Sequence, residues 1–76
     1  MQTRRLNGAS VRAIREALGV RHGEFARRCE IDPGYLTKLE VGARQPSPSV
    51  MKRIALGLGV SLEAVSYPVV AEAVAS

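Results

Sequence analysis

The sequence has no tryptophan, one phenylalanine, two tyrosines, one histidine and one cysteine in 76 residues. Each shortage closes a possibility. A single cysteine, Cys29, excludes an internal disulfide and any paired-cysteine metal site, and it suits a reducing cytoplasm. His22 has no cysteine or carboxylate pair at ligand spacing, so it reads as a surface or phosphate-binding side chain; no metal and no cofactor is expected. No apolar run approaches the length that spans a bilayer. The N-terminal "MQTRRLNGAS" lacks the apolar centre of a secretory signal, so no membrane partner is expected and a cytoplasmic location is. No segment alternates cleanly over strand length, and there is no internal repeat. Catalytic candidates are poor. Cys29 lies on the apolar side of a helix, where a small core residue is the ordinary reading. "GLGVS" follows a helix and not a strand, so it is no dinucleotide loop. Glu24, Glu30 and Asp32 belong to a helix surface and a cap. No catalytic residue is expected.

Acidic residues are scarce where basic ones are dense. Residues 1–53 hold all eleven Lys and Arg against five acids, a net +6; residues 54–76 hold only Glu63 and Glu72, a net −2. A basic body followed by a neutral, apolar tail suggests a polyanion partner for the first part. Mean hydropathy is near zero and 46% of residues are hydrophobic, as in a small globular domain.

Helix punctuation is frequent. Asn7 or Ser10 can cap a first helix, with Val11, Ile14 and Leu18 on one side and Gly19 as its stop. A second runs from about His22 to Cys29, with Phe25, Ala26 and Cys29 inward. Asp32 caps a third, Pro33 suits its first turn, and Gly42 stops it. Ser47-Pro48 repeats that signal for a fourth, with Val50, Ile54, Ala55 and Leu58 as its stripe and Gly59 at its end. Ser61 caps a short fifth, with Leu62 and Val65 inward and Glu63 at its positive end.

Helices two and three are separated by only "EID", a tight helix-turn-helix connection. Leu36 and Leu39 set the buried direction of the third helix. Gly34, Thr37, Lys38 and Val41 then point outward, with Tyr35 and Glu40 on the flanks. Gly34 costs about 1 kcal/mol relative to alanine in a helix. A missing side chain at the helix start allows close approach to a base or a phosphate. A short helix presenting small and polar groups plus one lysine suits a DNA major groove.

The run "EFARRCEIDPGYLTKLEVGARQPS" resembles the Cro/repressor-type, XRE-like helix-turn-helix family. The resemblance covers roughly Val11 to Val65. It is carried by Phe25-Ala26, by Leu36-Thr37-x-Leu39-Glu40-x-Gly42, by Arg44-x-Pro46, and by "IALGLGVSLEAV". It implies an all-α, compact five-helix, lambda-repressor-like domain over residues 1–67, followed by an apolar tail over 68–76. It further implies a sequence-specific regulator of transcription that binds double-stranded operator DNA: a phage or prophage repressor, a Cro-like protein or a small bacterial regulator, close to the nucleoid. No small-molecule ligand domain is expected. An antitoxin-type protein-interaction module of the same fold is the alternative. By family position, base contacts fall to Pro33, Gly34, Tyr35, Thr37 and Lys38. Phosphate contacts fall to His22, Arg44 and Gln45. Arg15 and Glu40 are placed as an ion pair.

Three departures qualify the resemblance. Arg21 replaces a capping Ser or Thr before the second helix; it cannot cap, but it can hold a phosphate. His22 replaces a Gln. Glu30 replaces a Gly in the turn, and a left-handed conformation there would cost about 1–2 kcal/mol. Readout then rests on few side chains, and DNA shape carries a larger share. One recognition helix reads only a few base pairs, so a homodimer on DNA is expected. Leu58, Val65, Tyr67, Val69 and Val70 are the expected interface, because the tail has no obvious internal partner.

Overall fold

The computed structural model describes residues 2–70, with side chains from residue 3 to residue 69. Four α-helices carry the fold: α1 (Gly8–Ala17), α2 (His22–Cys29), α3 (Pro33–Glu40) and α4 (Pro48–Leu58). A 3₁₀ turn follows at Leu62–Val65. Two strands, β1 (Gln2–Leu6) and β2 (Ser66–Val70), flank the helices and pair antiparallel, from Gln2 opposite Val70 to Leu6 opposite Ser66.

The caps form largely at the punctuation residues. Asn7 accepts from the Ser10 N–H, so Asn7 and not Ser10 is the first cap. Asp32 accepts from the N–H groups of Gly34 and Tyr35, and Ser47 from that of Val50. Each satisfies N–H groups that the helix itself leaves unpaired. Gly19, Gly42 and Gly59 follow the helices they stop at positive φ. Arg21 makes no side-chain cap bond.

The core is formed chiefly by Phe25, Leu36, Leu39, Ile54, Val11 and Val65, all fully buried or nearly so. Two glycines set how closely the helices approach. At Gly57 a Cβ would sit 3.0 Å from a Phe25 ring carbon and 3.2 Å from the Cys29 sulfur, so α4 lies against α2. At Gly8 a Cβ would overlap the Leu39 carbonyl oxygen and lie 2.7 Å from that of Glu40. The start of α1 therefore rests on the backbone at the end of α3.

Four expectations are corrected. The fifth helix is a single 3₁₀ turn, and Ser61 makes no side-chain cap bond to it. The fold is not all-helical, because the chain ends pair as strands. That pairing joins residues 60 or more positions apart, so no local pattern announces it. Pro68 interrupts β2 in sequence but is tolerated on an edge, where its missing N–H is not needed. Leu18 is 55% exposed. It is the C-cap of α1 and keeps the helical conformation, with its N–H on the Ile14 carbonyl, but the buried residues of α1 are Gly8, Val11 and Arg15 and nothing covers Leu18 at the helix end. Leu58 and Val65 are buried inside the monomer, so neither side chain is available to a subunit interface.

The strand β2 also crosses the 67/68 division. Val69 pairs with Thr3 and Val70 with Gln2, which gives the start of the apolar tail an internal backbone partner. The rest of that tail, residues 71–76, lies outside the described residues.

Candidate nucleic-acid interface

The turn between α2 and α3 is made by one left-handed residue. Glu30 sits at φ 61°, ψ 42°. The Ile31 N–H then bonds the Ala26 carbonyl, and the Glu30 N–H bonds the Arg27 carbonyl, which closes the end of α2. Asp32 caps α3 two residues later. So short a connection brings α3 directly after α2 as a helix-turn-helix.

The inner side of α3 is anchored twice. Leu36 and Leu39 fill the core. Glu40, at its end, meets Arg15 of α1: Nε donates to Oε2 at 2.8 Å and Nη2 to Oε1 at 3.2 Å. The two side chains are only 9% and 5% exposed. Arg15 also donates to the Val20 carbonyl at 3.0 Å. The hydrogen bond that Arg15 donates to Glu40 raises the Arg15 pKa above its ordinary value, against the opposing effect of burial. This bidentate geometry is the strong form of the Arg–carboxylate contact.

The outer side of α3 has a different character. Pro33, Gly34, Thr37, Lys38 and Val41 are exposed, and Tyr35 is half-buried against the core. Gly34 lies close to its own cap. Its N–H bonds Asp32 Oδ2 at 2.8 Å, and a Cβ there would meet the same oxygen at 2.9 Å. A side chain there would need only a small shift of the Asp32 carboxylate, so the crowding is mild. Thr37 Oγ1 lies 3.0 Å from His22 Nε2 and donates to the Pro33 carbonyl at 3.2 Å. His22, the first residue of α2, thus reaches across to α3. Among the described residues, no carboxylate lies within ion-pair distance of Arg21, Arg27, Lys38 or Arg44. By contrast Arg12, Arg28 and Arg53 each meet a glutamate.

The expected site residues therefore fall into two groups. Pro33, Gly34, Tyr35, Thr37, Lys38, Arg21, His22 and Arg44 surround the exposed face and flanks of α3. Gln45 is engaged elsewhere: its Oε1 accepts from the Leu6 N–H at 2.7 Å and its Nε2 donates to the Leu6 carbonyl at 3.3 Å. It behaves like a third strand residue that clamps the end of β1. Sequence reasoning missed this role because the partner is a backbone 39 positions away.

Cys29 is fully buried, and burial pushes its thiol up to about 11. A thiol held neutral at neutral pH is not a nucleophile. Among the described residues, no three of His, Cys, Asp and Glu are placed together to hold a metal. No helix among them is long and apolar enough to cross a membrane.

Comparison with known proteins agrees with this geometry. A helix-turn-helix family model matches residues 11–65. The chain belongs to that family, in its Cro/repressor-type, XRE-like form. Among solved structures it is similar to the clp gene regulator ClgR from Corynebacterium glutamicum: 34% identity, TM-score 0.70, covering 74% of this chain and 73% of that one. It is also similar to the hypothetical transcription factor NHTF from Neisseria, with 26% identity and TM-score 0.71 over 75% of this chain and 64% of that one. The restriction-modification controller protein C.AhdI from Aeromonas hydrophila shares the fold, at 24% identity and TM-score 0.72, over 75% of this chain and 86% of that one. No curated protein matches significantly. The family and these neighbours support a DNA-binding regulator of transcription.

Proposed function

We propose that this protein is a small bacterial or phage regulator that binds double-stranded DNA sequence-specifically by laying α3 in the major groove. The observation that carries the reading is the outer face of α3. It is exposed, it combines one cation with the Thr37 hydroxyl and small or apolar groups, and Arg21 and Arg44, without a carboxylate partner among the described residues, lie before α2 and after α3. An α-helix fits the major groove, where each base pair shows a distinct pattern of donors and acceptors. Lys38, with donors only, matches the O6 and N7 acceptors of guanine. Arg21 and Arg44 match phosphates. His22 holds Thr37 and flanks the same backbone. The protein then works in the cytoplasm, on operator DNA.

A single α3 covers only a few base pairs, so the active form on DNA is a homodimer on a two-fold site. Of the expected interface, Tyr67 is exposed and Val69 half-buried, so both remain available, and the side chain of Val70 lies outside the described residues. Selection of bound duplexes from a random pool tests the whole reading. An enriched inverted repeat with half-sites about one helical turn apart is expected. Enrichment of a single unrepeated motif would refute the dimer, and no enrichment would refute sequence-specific binding.

A further inference from the structure

Thr37 occupies the middle of the exposed face of α3, and its hydroxyl is already engaged from two directions. Oγ1 lies 3.2 Å from the Pro33 carbonyl oxygen and 3.0 Å from His22 Nε2. A hydroxyl has one proton and two lone pairs, and a carbonyl can only accept. If His22 Nε2 carries the ring proton, it donates to Thr37 and the hydroxyl proton goes to Pro33. If Nε2 is bare, the hydroxyl proton goes either to Pro33 or to His22. In every tautomer the proton stays within the protein. What Thr37 can offer outward is a lone pair.

We infer that Thr37 is an acceptor-only reader, selecting the exocyclic amine of adenine or cytosine over guanine or thymine at one position of the bound site. In the major groove adenine N6 and cytosine N4 are donors, whereas guanine O6 and N7 and thymine O4 are acceptors. A lone pair facing an acceptor gains nothing and leaves both groups unsatisfied. Lys38, the next residue, has the opposite polarity. Gly34, three positions earlier on the same helix face, has no side chain to hold a base edge away from the short threonine. His22 is a positioning residue here: it fixes the Thr37 rotamer from the neighbouring helix. The inference rests on the DNA-binding reading and adds the class of base that is read.

The test uses the full chain and the duplex it selects. Wild type should prefer A or C over G or T at one position by roughly three- to tenfold, the value of a single net hydrogen bond. Thr37→Val keeps the shape but has no lone pair, and it should lose that preference; Thr37→Ser should retain it. A second readout replaces the preferred base by its analogue without the exocyclic amine. Wild type and Thr37→Ser should lose the same factor, and Thr37→Val should lose nothing. A preference that survives in Thr37→Val, or a wild-type preference for G or T at that position, would overturn the inference. Should Thr37→Val fail to fold by circular dichroism, the wild-type and serine responses to the analogue decide alone, and indifference in both would overturn it. Failure of wild type to bind any duplex even at low salt would overturn the DNA reading itself, which is a different result from binding without this preference.

Discussion

The two sides of α3 are built from the same eight residues to opposite ends. On the inner side Leu36, Leu39 and Glu40 are buried, and other elements answer each of them. The core takes the leucines, Arg15 takes the carboxylate, and Gly8 removes its own side chain so that α1 can touch the backbone at Leu39 and Glu40. On the outer side Gly34, Lys38 and Val41 have no tertiary partner of that kind, and Val41 is 65% exposed. A helix of about two turns is too short to be stable alone. The inner contacts must therefore hold it, with Thr37 tied to His22 from the outer side, and they leave Lys38 free of any structural task. The difference teaches that α3 is a presented helix: rigid because of one face, available because of the other.

The largest effect should come from breaking the buried pair. Removing either Arg15 or Glu40 leaves an uncompensated charge, so Arg15→Ala or Glu40→Ala should cost about 3–5 kcal/mol in urea unfolding. A double-mutant cycle should show strong coupling between them; additive losses would mean that the two groups act independently and that the inner face is held by the leucines alone. Gly8→Ala should come next, at about 2–3 kcal/mol, because the obstruction is backbone and cannot rotate away. An unchanged urea midpoint would show that α1 can move off α3 without loss, contrary to the close contact described here.

Smaller changes sharpen the contrast. Glu30→Gly removes a left-handed strain of about 1–2 kcal/mol and adds some chain entropy to the unfolded state, for a net gain of roughly 0.5–1 kcal/mol. Its contact with Arg53 is long, at 3.5 Å, and exposed, so little is lost with it. A variant that melts lower would mean that Glu30 has a role beyond the turn. Cys29 gives a pH signature of the core. Its folded pKa, about 11, lies above the ordinary value of 9.0. The unfolded chain therefore loses this proton first, and the thiol's contribution, complete below pH 9, declines as pH rises through that window. Cys29→Ala should show a shallower decline there than wild type; equal slopes would assign the alkaline loss to other groups.

Much of this arrangement is legible in the sequence, for a physical reason. Caps and stops are local: Asp32-Pro33, Ser47-Pro48 and the glycines at 19, 42 and 59 act within a few residues of themselves. The outward direction of Gly34, Thr37 and Lys38 follows from helical period alone. What stayed hidden depends on distant partners. The pairing of β1 with β2, the clamp of Gln45 on Leu6 and the need for Gly8 are all made across tertiary contacts. Leu18 misleads because periodicity gives a side chain's direction and not what covers it: Leu18 keeps the helical conformation at the end of α1 and is exposed all the same. Gly34 was legible as unusual, and its crowding against the Asp32 carboxylate, which depends on how the cap closes, was not.

The separation of the two faces of α3 is tested most directly at Lys38, by measuring one variant in two ways. Lys38 is exposed, and no carboxylate among the described residues pairs with it. Lys38→Ala should leave the urea midpoint within the small range of a surface change, about 0.5 kcal/mol. On the selected DNA site it should lose roughly 1–3 kcal/mol of binding and relax the preference at one base pair. Stability retained with specificity relaxed is the predicted result. A variant that unfolds more easily, or one that binds the selected site with an unchanged sequence profile, would contradict the account.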